Sequence, residues 1–328
     1  MKKLASSPSF GITLCCSSKG CSRNLSTRHA GTLTMTQVYL NGAFMAPADA
    51  TISPMDRGFL FADGIYEVIP AYNGVLFRFE EHLIRLERSL AEVDIRNPHS
   101  RAQWRERCEQ LLRANGGGNL SVYLQVTRGA AEKRDHAFPS PAVTPTVFMM
   151  TNPIAIPAAD SPETAVGARA ITLDDIRWAR CDIKSVSLLP NSLLRQQAVA
   201  AGASEAILLR DGFVTEGSAS NVFIAKAGTI ATPPKSHAIL GGITRDLVVE
   251  LCHQHGLALE EREITEMQLR QADEIWITSS TKEVVPVIQL NNAIIGNGMP
   301  GPLWKALAHH YVQHKRRLCG LDAPNAHD

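Results

Sequence analysis

No run of roughly 18 or more consecutive apolar residues occurs in this chain of 328 residues, which excludes a membrane-spanning helix. A charge surplus is missing too. The 33 basic and 32 acidic side chains leave a net charge of +1. Nothing there points to a nucleic-acid partner, and no basic amphipathic helix points to a membrane surface. Paired cysteines are also absent. The seven cysteines are odd in number, and Cys108, Cys181, Cys252 and Cys319 lie far apart with no C-x-x-C pair. They read as the reduced thiols of a cytoplasmic protein. Cys15, Cys16 and Cys21 lack a second pair of ligands nearby, so no metal site is expected there. Internal repeats and low-complexity blocks are absent as well.

Residues 1–34 contain no acid, while Lys2, Lys3, Lys19, Arg23 and Arg28 stand among many Ser and Thr. That composition resembles an organellar transit peptide. A disordered tail is a second reading. The favoured one is that the working chain begins at Met35, because strand-like sequence starts immediately after it. What is present is ordinary globular composition, 45% hydrophobic and 20% charged. The length allows two domains of roughly 100–200 residues each.

Asn-Gly pairs between apolar runs predict hairpins over Val38–Met45 and Gly64–Phe77. Leu83, Leu86, Leu90 and Val93 stand at helical spacing and predict a helix over 79–93. A second helix is expected over 104–112, ended by Gly116-Gly117-Gly118, with strands at 120–127 and 146–150. Residues 35–152 thus read as a smaller α/β domain. Pro153, Pro157 and Pro162 mark a linker over 153–163. Residues 164–328 alternate strands (168–173, 205–209, 221–225, 274–278) with helices (191–201, 244–255, 302–317). They read as a larger mixed α/β domain.

The chemistry sits in two segments. Lys184 lies in Cys181-Asp182-Ile183-Lys184-Ser185, and Glu216 in Thr215-Glu216-Gly217-Ser218. A neutral lysine amine condenses with an aldehyde, and a carboxylate holds a proton on a pyridine nitrogen. Together they are what a protein supplies to pyridoxal phosphate. Either alone is ordinary surface chemistry. Arg177 and Arg180, just upstream, are candidates for lowering the lysine pKa. Glu216 is expected at the turn before the strand 221–225.

A phosphate needs convergent donors, which Gly241-Gly242-Ile243-Thr244-Arg245 offers at the start of a helix. Read alone it is a plain helix start, with Thr as an N-cap. Thr278-Ser279-Ser280-Thr281 adds hydroxyls. Arg85, on the 79–93 helix with no partner evident from spacing, can add a guanidinium. Arg134 and His136, two apart on an extended loop, can clamp a substrate carboxylate, although a plain polar loop is the simpler reading of those residues.

These segments, with Asp56-Arg57-Gly58, Phe61-Ala62-Asp63-Gly64-Ile65-Tyr66-Glu67, Glu81-His82-Leu83-Ile84-Arg85-Leu86 and Arg177-Trp178, resemble the class IV pyridoxal-phosphate aminotransferases of fold type IV. The resemblance runs from about Val38 to about Ala308 and is strongest to the branch acting on D-amino acids. It implies a smaller N-terminal α/β domain and a larger, barrel-like mixed α/β domain. It further implies that Lys184 forms the Schiff base and Glu216 meets the pyridine nitrogen. Arg85, Ile243, Thr244 and Ser280 would take the phosphate, and Leu240 would pack behind the ring. Tyr66, Arg134 and His136 would form a carboxylate trap, reaching the site partly from the second subunit of a homodimer. The implied reaction moves the amine of D-alanine to 2-oxoglutarate, giving pyruvate and D-glutamate.

The branched-chain and aminodeoxychorismate-lyase branches of the fold lack the Arg134/His136 pair and are the alternatives. The branched-chain enzymes carry a Gly-Gly-Asn-Tyr-like run where this chain has Leu188-Leu189-Pro190-Asn191. Ala219, where the D-alanine branch commonly has Ser, is a departure that alters contacts beneath the ring without removing a catalytic group.

Overall fold

A computed structural model describes residues 35–155 and 157–321. The expectations for residues 1–34, including Cys15, Cys16 and Cys21, lie outside the described residues.

The first sheet is built from β1 (Val38–Leu40), β2 (Ala43–Met45), β3 (Gly64–Tyr72), β4 (Val75–Leu76), β5 (Leu120–Thr127) and β6 (Thr146–Pro153). Its order is β2-β1-β6-β5-β3-β4, antiparallel throughout. Both Asn-Gly pairs close hairpins. Asn41 (φ 48) with Gly42 (φ 104), and Asn73 (φ 51) with Gly74 (φ 75), take the left-handed backbone that two-residue hairpin turns require. A short helix, α1 (Arg57–Phe61), precedes β3.

Two longer helices cover this sheet, α2 (Phe79–Glu92) and α3 (Arg101–Ala114). Leu83, Leu86 and Leu90 of α2 and Trp104, Cys108 and Leu111 of α3 pack with Ile65, Ile69, Val122 and Leu124 of the sheet. Each such apolar side chain taken from water contributes about 1.5–3 kcal/mol. Helix α3 starts before the predicted Trp104, at Arg101. A capping box sets that start: Ser100 Oγ accepts from the Gln103 N–H, and Gln103 Oε1 accepts from the Ser100 N–H at 2.9 Å.

The second sheet holds β7 (Ala168–Asp174), β8 (Glu205–Arg210), β9 (Phe213–Gly217), β10 (Asn221–Lys226), β11 (Thr229–Thr232), β12 (Leu259–Glu261), β13 (Glu274–Ser279), β14 (Glu283–Leu290) and β15 (Ala293–Ile294). Its path is β12-β11-β10-β13-β14-β7-β8-β9, with β15 beside β14. Parallel and antiparallel pairs are mixed. Edge strand β9 turns straight into β10, which lies deep in the path, and the Gly217 N–H donates to the Ser220 carbonyl at 2.6 Å. That connection curls the sheet toward a barrel.

Val222, Ile224, Ile275, Ile277 and Ile207 fill one face of the curl. Phe223 and Trp276, stacked at 5.8 Å, face α5 (Ile243–Gln254) and α7 (Pro302–Cys319). Helix α4 (Leu189–Ala200) lays Leu194 and Ala198 on Ala206 and Leu208, and α6 (Glu266–Arg270) is a single short turn. The architecture is mixed α/β with a curled second sheet, as the sequence predicts.

Candidate active site

Lys184 is placed by backbone pairing. The chain at Lys184–Val186 lies against the start of β3. The Tyr66 N–H donates to the Lys184 carbonyl, and the Val186 N–H to the Gly64 carbonyl, both at 3.0 Å. Ile65 and Ser185 form an antiparallel bridge. Gly64 is packed so closely on β5 that an added Cβ would sit 3.0 Å from the Val126 carbonyl. The lysine Nζ stands 4.1 Å from the centre of the Tyr66 ring, within cation–π range. A half-buried Lys184 thus opens into a cavity of about 330 Å³.

Glu216 reaches the same cavity from β9. It is the penultimate residue of that strand, so the expectation of a turn position is corrected. The turn is Ser218–Ser220, and the period-two alternation that marks a half-exposed strand is absent because β9 is buried from Val214 to Gly217. Its carboxylate is held by three donors. Arg177 Nη1 donates to one oxygen, while Asn221 Nδ2 (3.1 Å) and the Leu240 N–H (3.0 Å) donate to the other. Burial pushes the Glu216 carboxyl up to about 7, against the downward pull of Arg177 and the Leu240 N–H.

Arg177 itself is clamped by Asp175, at 2.9 Å from Nε and 2.8 Å from Nη2. Arg180 pairs with Asp182 at 3.1 Å and Glu92 at 2.7 Å. Neither guanidinium brings an uncompensated positive charge to Lys184, contrary to the role their position in sequence suggested.

Arg85 also lines the cavity, and it has the partner that helical spacing could not show. Glu67 of β3 accepts from Arg85 Nε at 2.7 Å and Nη2 at 2.8 Å, and Nη1 donates to the Gly241 carbonyl at 2.9 Å. His82, one turn earlier, meets the same carboxylate at 2.8 Å. Burial alone would raise the Glu67 pKa, but Arg85 and His82 hold it far below the usual carboxylate range. Burial keeps the His82 imidazole below its ordinary pKa despite that neighbour. The Arg85 charge is therefore neutralised within the protein, and it contributes at the cavity mainly as a hydrogen-bond donor.

Another wall is the start of α5. Gly242, and not Thr244, is the N-cap, and no side chain caps the helix. An added Cβ on Gly242 would lie 1.9 Å from Asn221 Oδ1, so the tight fit selects glycine. Ile243 and Thr244 occupy the first helical turn, where N–H groups have no intrahelical acceptor. Thr278 Oγ1, at the end of β13, is buried with no hydrogen-bond partner among the described residues and lines the cavity beside Ser279 and Ser280.

An amine, a held carboxylate and an uncapped helix start beside an unpartnered hydroxyl fit pyridoxal phosphate. Its aldehyde, ring nitrogen and phosphate demand those three groups.

Tyr66, Arg85, Lys184, Glu216, Leu240, Ile243, Thr244 and Ser280 all line the one cavity. Arg134 and His136 do not. They lie on an exposed loop, with the Arg134 guanidinium 4.8 Å from the Phe61 ring centre and the His136 ring 5.2 Å from it. Arg57 braces that loop through the carbonyls of Asp135 (2.5 Å), His136 (3.2 Å) and Ala137 (3.3 Å). Asp63 holds both Arg57 (2.8 Å) and Arg128 (2.7 Å). Sequence reasoning assigned no role to Glu67 or Asn221 and a different one to Arg177. Each stands inside or beside a motif, but only contacts across the fold reveal what it holds.

A family model described as amino-transferase class IV matches residues 64–290. The D-alanine aminotransferase of Bacillus licheniformis is 45% identical over 269 residues, covering 82% of this chain and 93% of that one. The D-alanine aminotransferase of Listeria monocytogenes is 38% identical over 288 residues, covering 87% and 98%. Among solved structures, a T.th. branched-chain amino acid aminotransferase complexed with N-(5'-phosphopyridoxyl)-L-glutamate superposes with a TM-score of 0.76 at 28% identity, covering 88% of this chain and 95% of that one. The Thermoproteus uzoniensis branched-chain aminotransferase with norvaline gives 0.76 at 25% identity, covering 88% and 96%. With motif, cavity and likeness in agreement, this chain belongs to the class IV aminotransferase family.

Proposed function

We propose that this chain is a pyridoxal-phosphate-dependent aminotransferase acting on D-amino acids, with D-alanine as donor and 2-oxoglutarate as acceptor. The observation that carries the chemistry is the convergence of Lys184, Glu216 and the uncapped start of α5 on one cavity. The hand of the substrate rests on the two D-alanine aminotransferases, which match this chain at 45% and 38% identity.

Pyridoxal phosphate, when bound, supplies an aldehyde to take the amine and a ring to accept the electron pair left when the substrate Cα–H bond breaks. The Ile243 and Thr244 N–H groups, the Thr278 and Ser280 hydroxyls and Arg85 would hold its phosphate. Glu216 would hold a proton at the ring nitrogen, and Arg177 and Asn221 fix that carboxylate in place. The Lys184 amine would carry the proton between the substrate Cα and the cofactor carbon to which the amine is attached. Tyr66 would meet the α-carboxylate, with Arg134 and His136 contributed by the second copy of a homodimer. Only one hand of substrate places its carboxylate there while its α-hydrogen faces Lys184.

The solved structures above favour a second reading, since both are branched-chain enzymes. A coupled assay compares D-alanine with L-valine, each with 2-oxoglutarate. Turnover of D-alanine is expected, with loss of about 10²–10⁴-fold in Lys184→Ala. Turnover of L-valine without D-alanine would establish the second reading, and a fully active Lys184→Ala would refute the mechanism. Borohydride reduction of the holoenzyme should tag the peptide that contains Lys184.

A further inference from the structure

Among the described residues, four cationic side chains line the cavity: Arg85, Arg177, Lys184 and Arg195. Arg85 is neutralised by Glu67, and Arg177 by Asp175 and Glu216. Lys184 is the reacting amine. Arg195, on α4, makes no ion pair among the described residues, and its Nη1 is buried with no hydrogen-bond partner. A buried polar nitrogen left unpaired costs about 1–3 kcal/mol, and more when charged. A ligand that brings an acceptor to it recovers that cost.

Helix α4 presents Asn191, Ser192 and Arg195 to the cavity at the three-to-four-residue spacing of one helix face. Asn191 Nδ2 donates to the Ser218 carbonyl at 2.8 Å, which fixes α4 to the turn that follows Glu216. The guanidinium therefore sits on a braced wall.

We infer that Arg195 recognises the distal carboxylate of a five-carbon dicarboxylic substrate, 2-oxoglutarate or D-glutamate, and so sets the preference for that acceptor over pyruvate. The inference rests on the proposed reaction. In that reading the phosphate takes the α5 end and the α-carboxylate takes Tyr66, so the second carboxylate is the anion left for Arg195. A guanidinium suits it because a planar fork of N–H donors matches a carboxylate in two parallel hydrogen bonds. A monocarboxylate such as pyruvate leaves this group unanswered.

The test uses the holoenzyme, its Arg195→Met and Arg195→Lys variants, and two readouts. The first is kcat/KM for 2-oxoglutarate and for pyruvate as acceptors, with D-2-aminobutyrate as donor, because amine passed from D-alanine to pyruvate gives no net change. Arg195→Met is expected to lose about 10- to 100-fold with 2-oxoglutarate, the equivalent of one charge-assisted pair, and to keep its rate with pyruvate within about twofold. Arg195→Lys should recover part of the loss.

The second readout needs no turnover: binding of glutarate and of butyrate, followed by the absorbance of the bound cofactor. Glutarate should weaken by a similar factor in Arg195→Met while butyrate does not. Equal losses for both acceptors, or unchanged glutarate binding, would overturn the inference. So would a change in subunit assembly with no discrimination between the two acids, since Arg195 would then be answering the partner. A wild type that turns over no D-amino acid sinks the proposed reaction, and the glutarate arm still decides Arg195.

Discussion

Arg177 donates into the buried carboxylate of Glu216 while Asp175 grips the same guanidinium at 2.8 and 2.9 Å. The pair sets the charge at the Glu216 end of the cavity. It also explains why Arg177 belongs to the family-like Arg177-Trp178 motif although it does no chemistry. Burial raises the Glu216 pKa, and Arg177 opposes the rise.

Removing Arg177 should therefore leave Glu216 more often protonated. Arg177→Met is expected to lower kcat/KM for D-alanine by about 10- to 100-fold at neutral pH, the value of one hydrogen bond to a charged group. The acid limb of the pH–rate profile should move to higher pH. The sign for stability follows from the raised pKa. In the cofactor-free protein, the Glu216 contribution is fully present below its ordinary pKa of 4.5 and is lost as pH rises to about 7. Arg177→Met should extend that loss above 7, and Glu216→Gln should abolish it. Denaturant midpoints of the three proteins from pH 4 to pH 9 (roughly the span of these transitions) measure it. A midpoint–pH slope that is the same in all three would show that Glu216 does not titrate there.

Glu67→Gln breaks the buried pair with Arg85. A partnerless buried charge costs about 3–5 kcal/mol, so the unfolding midpoint should fall by that equivalent while Lys184 stays in place. The acid side of the wild-type stability curve has two causes. His82 has a depressed pKa, so stability is lost as pH falls through its ordinary 6.5. Glu67 has a depressed pKa too, so its stabilisation, present above 4.5, is lost below it. Glu67→Gln should flatten the second limb and deepen the first, because the Glu67 carboxylate is what opposes the fall of the His82 pKa. Urea titrations across that range read both limbs, and an unaltered curve below pH 4.5 would contradict the assignment.

Arg134 is exposed, so Arg134→Ala should leave stability within about 0.5 kcal/mol of wild type. It should raise the KM for D-alanine. Where the trap comes from the partner copy, mixing Arg134→Ala with Lys184→Ala rebuilds one intact site per heterodimer. A two-fold dimer carries two equivalent sites, and half the dimers of a fully exchanged equal mixture are heterodimers. Activity should therefore return to about a quarter of that of wild type. Subunit exchange followed by the D-alanine assay tests it. No recovery would place the trap within a single chain.

Local pattern was enough for the hairpins at Asn41-Gly42 and Asn73-Gly74, because Asn and Gly accept the positive φ observed there. It was enough for the buried stripe of α2, whereas the expectation that Lys184 and Glu216 share a site came from the family resemblance of their motifs. It did not reveal β9, β11 or β14. A strand that is buried or joined to the sheet irregularly loses the alternation by which a strand is read. Nor did it reveal that Arg85 is 8% exposed and paired, since its partner Glu67 lies on another element.

The sequence by itself determined which groups are available: one amine, one carboxylate, a glycine-led helix start and a run of hydroxyls. The tertiary structure alone decided what holds them. It decided that Arg177 answers Glu216, that Glu67 neutralises Arg85, that Arg195 is left unanswered, and that Arg134 and His136 stand outside the cavity of their own chain. Proximity along a chain falls off within a few residues, whereas charge and hydrogen bonding act through a few ångströms of space. Only folding makes the second kind of neighbour.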